Sequence, residues 1–457
     1  MDTYDVVVVG SGTSGQTAAF QLREKGVHVA VVEKADRPGG ICALAGCQPK
    51  KWFYEATEAI ARARHLEGKG IVAAPEGDWA RVLEQKQQFT AGIPDGTIKN
   101  LQEADIDFVS GEAAFLDAET LSVNGRRIQA RFFILAVGAK PMQLPIEGKE
   151  HVITSNAFLD LDVLPPSICF IGGGFISFEF AHFAARLGAV KQRLVILEIA
   201  DRPLGTFDAE MVALLVEASK DEGIEVRCGV NIDIIEKHGD GFAVRTAQGD
   251  SFESDLVVNG AGRVPDLDTL RLNTTGIEYS KRGIIVDETL RTSNRRIFAI
   301  GDCAATIQLA RIADNEAHVA AANILAELNM GRKSTMDYGA VPAILFTYPQ
   351  LGMVGQTEDY LKKDGQTYHK SFAKNLSWPT YKRLGLKHAA YKILTDTNHK
   401  ILGAHILSDQ ASGIINTIKQ AMVNRTPADE LYRQTIVSPY PTRESDLSYM
   451  LKPLLSN

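Results

Sequence analysis

Apolar positions along the chain fall into two rhythms that hand over to one another at glycines. Tyr4 to Val9 is a short apolar, β-branched run, as expected of a strand buried on both faces. It breaks on Gly10-Ser11-Gly12-Thr13-Ser14-Gly15, after which QTAAFQLREKG has the spacing of a helix and HVAVVE returns to strand, ending at Glu33. The plan recurs from Ser167: the strand SICFI, the turn Gly172-Gly173-Gly174-Phe175-Ile176-Ser177, the helix FEFAHFAARLG and the strand RLVILE, ending at Glu198. Between the two repeats lie a polar helical region reaching about Leu101 and short strands within DFVSGEAAFL and TLSVNGRRIQARFFILAVG, the last running into a glycine turn at Gly138, a feature common at crossings between domains and shared by ordinary loops. After the second repeat come the strands EVRCGV, FAVRTA and SFESDLVVNG, then Gly262-Arg263, and then RRIFAIGDC, which carries Asp302 at the end of a strand. From about Ser334 the pattern changes to alternating strands near Ala389–Leu394 and Ile401–Ile406, with helices after Gly413.

The repeated strand–glycine–helix–strand unit is a dinucleotide-binding unit. Gly10 and Gly172 make the tight turn, and Gly12 and Gly174 let the backbone approach a pyrophosphate. Gly15 lets helix and strand pack closely, a position that Ser177 takes in the second copy at some cost in closeness. The anion would sit at the helix N-terminus, on free amides. Glu33 and Glu198 are placed to accept ribose hydroxyls. A carboxylate at the second site repels a 2′-phosphate, so Glu198 favours NADH over NADPH, against weaker signals from Arg202 and the polar stretch AVKQR before the strand.

The stretch GGICALAGCQPKK places Cys42 and Cys47 five positions apart behind the first unit. A helix beginning near Ile41 and running on through WFYEATEAIARA would hold their Cα atoms roughly 8–9 Å apart. A disulfide wants about 4.4–6.8 Å, so the pair could bridge only through a distorted turn, which Gly46 and Pro49 permit. The helix N-terminus would favour a thiolate. Spacing alone leaves two readings open, a redox pair or two unrelated core cysteines. Cys169, Cys228 and Cys303, alone in or beside apolar segments, read as core.

A chain of 457 residues, 45% apolar and 23% charged, is expected to form two to four globular domains. Its net charge of -7 leaves no basic excess for nucleic acid, and no apolar run approaches the roughly 18–20 residues of a membrane span. A cytoplasmic location is expected, because five cysteines in this length do not make a disulfide framework and the N-terminal VVVV is preceded by acidic rather than basic residues.

Along its whole length the chain resembles the flavoprotein disulfide reductases, the family of glutathione reductase, dihydrolipoamide dehydrogenase and mercuric reductase. Gly10, Gly12, Gly15 and Glu33 fall on that family's FAD fingerprint, and GGICALAGCQPKK on its redox motif GGTCxxxGCxPSK. IGGGFISFEFA falls on IGGGYIGxEFA, GAGRVPD (with Gly262 and Arg263) on the ATGRxPN segment, AIGDC on the second FAD motif, and FTYPQLGMVGQTE on FTxPxxxxVGxTE of the dimer domain. The resemblance implies an α/β architecture of two Rossmann-like domains, for FAD and NAD(P)H, with a C-terminal α+β dimerisation domain. Its segments would be 1–148 for FAD, 149–264 for NAD(P)H, 265–334 returning to the FAD and central part, and 335–457 for a homodimer. It further implies that Cys47 lies against the flavin and Cys42 attacks the acceptor, that Lys51 and Glu179 pair beside the flavin, and that Asp302 holds the ribityl chain.

Two departures stand out. Where glutathione and lipoamide reductases have the histidine of HPTxxE, this chain has Tyr440-Pro441-Thr442-Arg443-Glu444-Ser445, closer to the PYLTxxE of mercuric reductase. Yet the C-terminus MLKPLLSN lacks mercuric reductase's terminal cysteine pair. No metal-ligand set is expected. The expectation is electron transfer from NAD(P)H through FAD and the Cys42/Cys47 pair to a disulfide, a persulfide or polysulfide, or a metal ion such as Hg(II). The alternatives are an NADH oxidase or quinone-type reductase with spectator cysteines, or a redox sensor.

Overall fold

The computed structural model describes residues 2–188 and 193–455; the stretch 189–192, most of the expected lengthened loop, lies outside them. The chain forms two compact units, one of residues 1–52, 83–142 and 263–337, the other of residues 53–82, 143–262 and 338–457.

The first unit is built on a seven-stranded sheet ordered Asp107–Ser110, Val29–Glu33, Asp2–Val9, Arg126–Leu135, Thr120–Val123, Ala113–Phe115, with Ile297–Ala299 also paired to Arg126–Leu135. The central strands run parallel and the two outer hairpin strands antiparallel. Val6, Val7, Val8, Val29, Val31, Phe133 and Phe298 are fully buried, as parallel strands covered on both faces require. Thus the strand before Asp302 joins the N-terminal sheet across more than 150 residues of intervening chain.

The second unit holds a five-stranded parallel sheet, Ile224–Arg227, Arg193–Leu197, Ser167–Ile171, Leu256–Asn259, Ile153–Thr154, and a three-stranded antiparallel sheet that includes Ile232–His238. It also holds a five-stranded antiparallel sheet, Pro342–Leu345, Gln350–Gly355, Ile401–Ser408, Ala390–Thr395, His369–Lys374, flanked by the helix Ala411–Val423. The strands Ala390–Thr395 and Ile401–Ser408 are buried at every position, so the alternation expected there is replaced by burial on both faces. Lys392 accommodates this by forming ion pairs with Asp208 at 2.8 Å and Glu358 at 2.7 Å, both buried.

Candidate active site

In the first unit Gly10 has φ +111°, and a Cβ there would run into the carbonyl of Ala136; one on Gly15 would strike the carbonyl of Gly10. No larger residue fits at either position, and the helix Thr13–Glu24 starts hard against the sheet. Glu33 braces this turn from the neighbouring strand: Oε2 accepts from Ser11 N at 2.8 Å and Ser11 Oγ at 2.7 Å, and Oε1 from Ala35 N at 2.8 Å. A carboxylate has about four acceptor positions, so a ribose hydroxyl still finds one on Oε1.

The helices Thr13–Glu24 and Phe175–Leu187, which follow the two glycine turns, have neither a side-chain cap nor an acidic residue in the first turn. Elsewhere, Asp208 caps Ala209–Asp221 and Thr357 caps Glu358–Lys363. Uncapped amides beside a glycine cradle suit a pyrophosphate, so both sites fit a dinucleotide. The short ribbon Ala139–Pro141 with Arg263–Pro265 follows the positive-φ Gly138 and Gly262, and Arg263 donates to the Ala139 carbonyl. Burial raises the Asp302 carboxyl above its usual range, opposed by the positive charge of Arg263. An acid in that setting gains from a hydroxyl partner.

The cysteine segment is tied to the first turn by residues that sequence reading passed over. Gly39 N donates to Ser11 Oγ at 3.0 Å. Gly40, at φ +78°, lies so close to Gly12 that a Cβ would stand 2.5 Å from the Gly12 Cα. The Gly39-Gly40 doublet was the visible signal. The continuous helix expected from Ile41 is in fact two: Gly40–Leu44 and Cys47–Leu66. Ala45 leaves the helical region at φ -146°, and Gly46 tucks under Ile41, where a Cβ would stand 3.0 Å from its carbonyl oxygen.

The half-buried Cys42 and exposed Cys47, both reduced, thus sit on either side of a helix break. A hydrogen bond to Cys47 raises the Cys42 pKa far above the ordinary thiol range, with burial and the charges of Cys47 and Asp314 adding and Arg311 opposing. Cys42 therefore holds its proton tightly, with Cys47 as the hydrogen-bond partner. Asp314 is fixed by Thr13 Oγ1 at 2.5 Å and Arg311 at 3.0 Å. Lys51 lies one turn beyond Cys47 on the same helix face. Cys169 and Cys303 are buried, but Cys228 is exposed, contrary to expectation. It follows the edge strand Ile224–Arg227 and precedes a turn at Gly229 (φ +70°), so no second layer covers it.

The second glycine turn repeats the first, with one exchange. Gly172 has φ +94° against the backbone of Ala261, and Glu198 accepts from Gly173 N at 2.5 Å and Ala200 N at 2.8 Å. Gly174 caps the helix from an extended conformation. Ser177, at the third-glycine position, is fully buried, and the room for it comes from Gly260: a Cβ there would overlap Ser177 Oγ and stand 3.2 Å from its Cβ. Arg202 donates to the carbonyls of Phe207 at 3.0 Å and Gly205 at 2.9 Å, so its guanidinium is engaged in its own loop. The buried Glu179 accepts from Phe346 N at 3.0 Å. Lys51 and Glu179 belong to different units.

Tyr440 is 68% exposed in the single chain. Ser445, where the related motif has glutamate, is taken up locally: it accepts from Thr442 N at 3.1 Å and donates to the Thr442 carbonyl at 2.7 Å. Glu444 lies over Gly413, where a Cβ would stand 2.5 Å from its Oε1. Among the described residues no group of three or more His, Cys, Asp or Glu is arranged to hold a metal ion, and no helix is long and apolar enough to cross a membrane.

Residues 4–317 match the pyridine nucleotide-disulphide oxidoreductase family and residues 341–448 its dimerisation domain. Mercuric reductase of Staphylococcus aureus is 30% identical over 90% of this chain and 76% of its own length. Dihydrolipoyl dehydrogenase of Geobacillus stearothermophilus is 35% identical over 79% of this chain and 77% of its own. Glutathione reductase of Burkholderia cepacia is 30% identical over 93% and 94%. Among solved structures, the Cu(II) complex of the HOCl-induced flavoprotein disulfide reductase RclA from Escherichia coli superposes with a TM-score of 0.87 at 25% identity, over 99% of this chain and 100% of that one.

Proposed function

The chain belongs to the pyridine nucleotide-disulphide oxidoreductases, enzymes that use FAD and NAD(P)H, and from that premise we propose an NADH-dependent reductase of a soft electron acceptor, working through Cys42 and Cys47. The observation that carries this reading is the hydrogen-bonded thiol pair, half-exposed and fixed on the first nucleotide turn. In the first site Gly10, Gly12, Gly15, Glu33, Gly138, Arg263 and Asp302 would hold FAD; in the second Gly172, Gly174, Glu198 and Gly262 would hold NADH. Bound FAD supplies the two-electron relay between nicotinamide and thiols.

The chain's own residues set the rest. Cys47 is the thiol that stays negatively charged, helped by the positive charge of Lys51 on the same helix face. Cys42 must give up its proton to attack. Closing the disulfide from the Cys42 thiol and the Cys47 thiolate releases two electrons and one proton: a disulfide acceptor takes both electrons and that proton, takes a second proton from water and leaves as two thiols, Hg(II) takes both electrons, and Cu(II) takes one each, so two ions per turnover. A disulfide acceptor also needs a proton for its leaving thiolate, a task suited to histidine. Tyr440 stands where that histidine would be, and a phenol is a poorer base than an imidazole at neutral pH, so acceptors with weakly basic leaving groups are favoured. Mercuric reductase and the Cu(II) complex of RclA, both among the relatives, support the metal-ion member of that class. Self-association through 335–457 would bring Tyr440 to a second chain.

The test is anaerobic NADH titration followed by an acceptor panel of glutathione disulfide, lipoamide, polysulfide, Hg(II), Cu(II), quinone and oxygen, with wild type and Cys42→Ser. Turnover of polysulfide or metal ions that the substitution abolishes supports the proposal. Quinone or oxygen turnover that the substitution leaves intact, with no other acceptor used, refutes it.

A further inference from the structure

A second concave site lies in the first unit, at the opposite end of its sheet from the glycine turns. Arg131, Phe132, Arg291, Arg295, Arg296, Glu327 and Lys333 line a cavity of about 590 Å³. Five cations face one carboxylate. Arg295 and Arg296 stand immediately before the strand Ile297–Ala299, and Arg131 and Phe132 lie midway along Arg126–Leu135 beside it, while Asp302 follows that strand's far end. Glu327 is used inside the cluster: Arg291 bonds it at 2.8 Å, Lys333 approaches to 3.8 Å, and these cations, with Arg295, hold its carboxyl below the usual range.

The remaining positive charge is only partly answered. Arg131 reaches Asp5 at 3.2 Å and Arg296 reaches Glu119 at 3.1 Å, both across exposed side chains. Arg295 has no carboxylate within ion-pair distance among the described residues. Arg291 lies over the ring of Phe298 at 5.1 Å with its side chain 18% exposed, and its Nε is shut off from solvent without a partner among the described residues. A buried guanidinium N–H without an acceptor is costly, and a ligand oxygen placed there removes the cost. Guanidinium groups match phosphate oxygens in pairs, and a cavity of this size takes a small molecule of nucleotide dimensions.

We propose that this cavity binds a polyphosphate group, either free or carried by a nucleotide, with Arg291, Arg295, Arg296, Arg131 and Lys333 as its cationic lining. A diphosphate or triphosphate presents enough separated negative charge to meet several of these cations at once, whereas a monophosphate meets one or two. Phe132 is the apolar ring against which a nucleoside would rest. The cavity shares no residue with either dinucleotide turn or with the thiol pair.

The experiment uses the FAD-loaded enzyme with saturating NAD+, so that both glycine turns are filled, and measures binding of tripolyphosphate, ATP, AMP and adenosine by titration calorimetry at low and physiological salt. Tripolyphosphate and ATP should bind at least tenfold more tightly than AMP, adenosine should not bind, and the affinity should fall as salt is raised. The exposed Arg295→Ala/Arg296→Ala double variant should lose at least tenfold, and Lys99→Ala, an exposed lysine outside the cavity lining, should lose nothing. Equal affinity for tripolyphosphate and ATP assigns the site to free polyphosphate; ATP tighter by tenfold, with the gain lost in Phe132→Ala, assigns it to a nucleotide. No binding at low salt, or binding unchanged in the double arginine variant, overturns the proposal.

Discussion

The exchange of glycine between Ser177 and Gly260 makes a quantitative test of how the second nucleotide turn is packed. Gly260 does not need a glycine for its backbone angle, since its φ is not in the left-handed region; it needs one for space. In Gly260→Ala the new methyl overlaps Ser177 Oγ and presses within 3.3 Å of the Ile171 carbonyl. Overpacking of this kind costs about 1–3 kcal/mol. Ser177 contributes a second element, because its buried hydroxyl has no hydrogen-bond partner among the described residues. Removing it in Ser177→Ala should be neutral or stabilise by about 1 kcal/mol, the lower end of the cost of an unmet buried hydroxyl.

In the double variant the hydroxyl is gone and the two Cβ atoms meet at 3.2 Å, tight but within what a few tenths of an ångström of helix movement relieves. The cost of Gly260→Ala should therefore fall by at least about 1 kcal/mol in the Ser177→Ala background, a coupling characteristic of residues in contact. Urea unfolding of the four proteins measures the cycle. NADH affinity measured alongside should drop in Gly260→Ala alone, because the overlap pushes the helix Phe175–Leu187, and the amides after Gly174, away from the turn. Gly260→Ala as stable as wild type, or equally costly with and without the Ser177 hydroxyl, would refute the packing argument.

Three further outcomes are expected. NADH should be preferred to NADPH in kcat/KM, and Glu198→Ala should narrow the preference while loosening the turn it braces at Gly173; a wild-type preference for NADPH would mean that Arg202 leaves its loop carbonyls. Tyr440→His should raise glutathione disulfide turnover by about 10²-fold, the lower end of the gain from a placed acid–base group, while leaving metal-ion turnover within a few-fold; fast disulfide turnover in wild type, unchanged in Tyr440→Phe, would show that another group manages the proton. Lys392→Met should cost about 3–5 kcal/mol by leaving Asp208 buried without its cation and stripping Glu358 of the one buried lysine among its three. Burial raises both carboxyls, but hydrogen bonds to Lys392 and other partners more than offset it and leave their pKa values lowered. Their contribution is therefore complete above the unfolded carboxylate pKa of about 4 and lost as pH falls below it. Thermal midpoints from pH 3 to 8 should show that acid arm in wild type and a shallower one in the variant.

The two nucleotide units, their order and the dithiol were determined by local sequence, because each rests on a short-range requirement. A strand buried on both faces needs a continuous apolar run, a turn at φ +111° needs Gly10, and the chemistry needs Cys42 and Cys47. Resemblance extended that reading to the cofactors and the C-terminal domain. The break at Ala45-Gly46 was open to either outcome in sequence, since the same residues also continue a helix if nothing packs against them. Cys228 was misread because an apolar neighbourhood in sequence does not tell an edge strand from a covered one. Ser177 looked like a loss of packing until Gly260, more than 80 residues away, was found to give up its side chain for it. The arginine cavity draws on residues 131, 291–296 and 327–333, which no local pattern connects. Close contacts between distant segments are set by how the sheets stack, and that is decided by the sum of all the buried faces at once, which only the tertiary structure reveals.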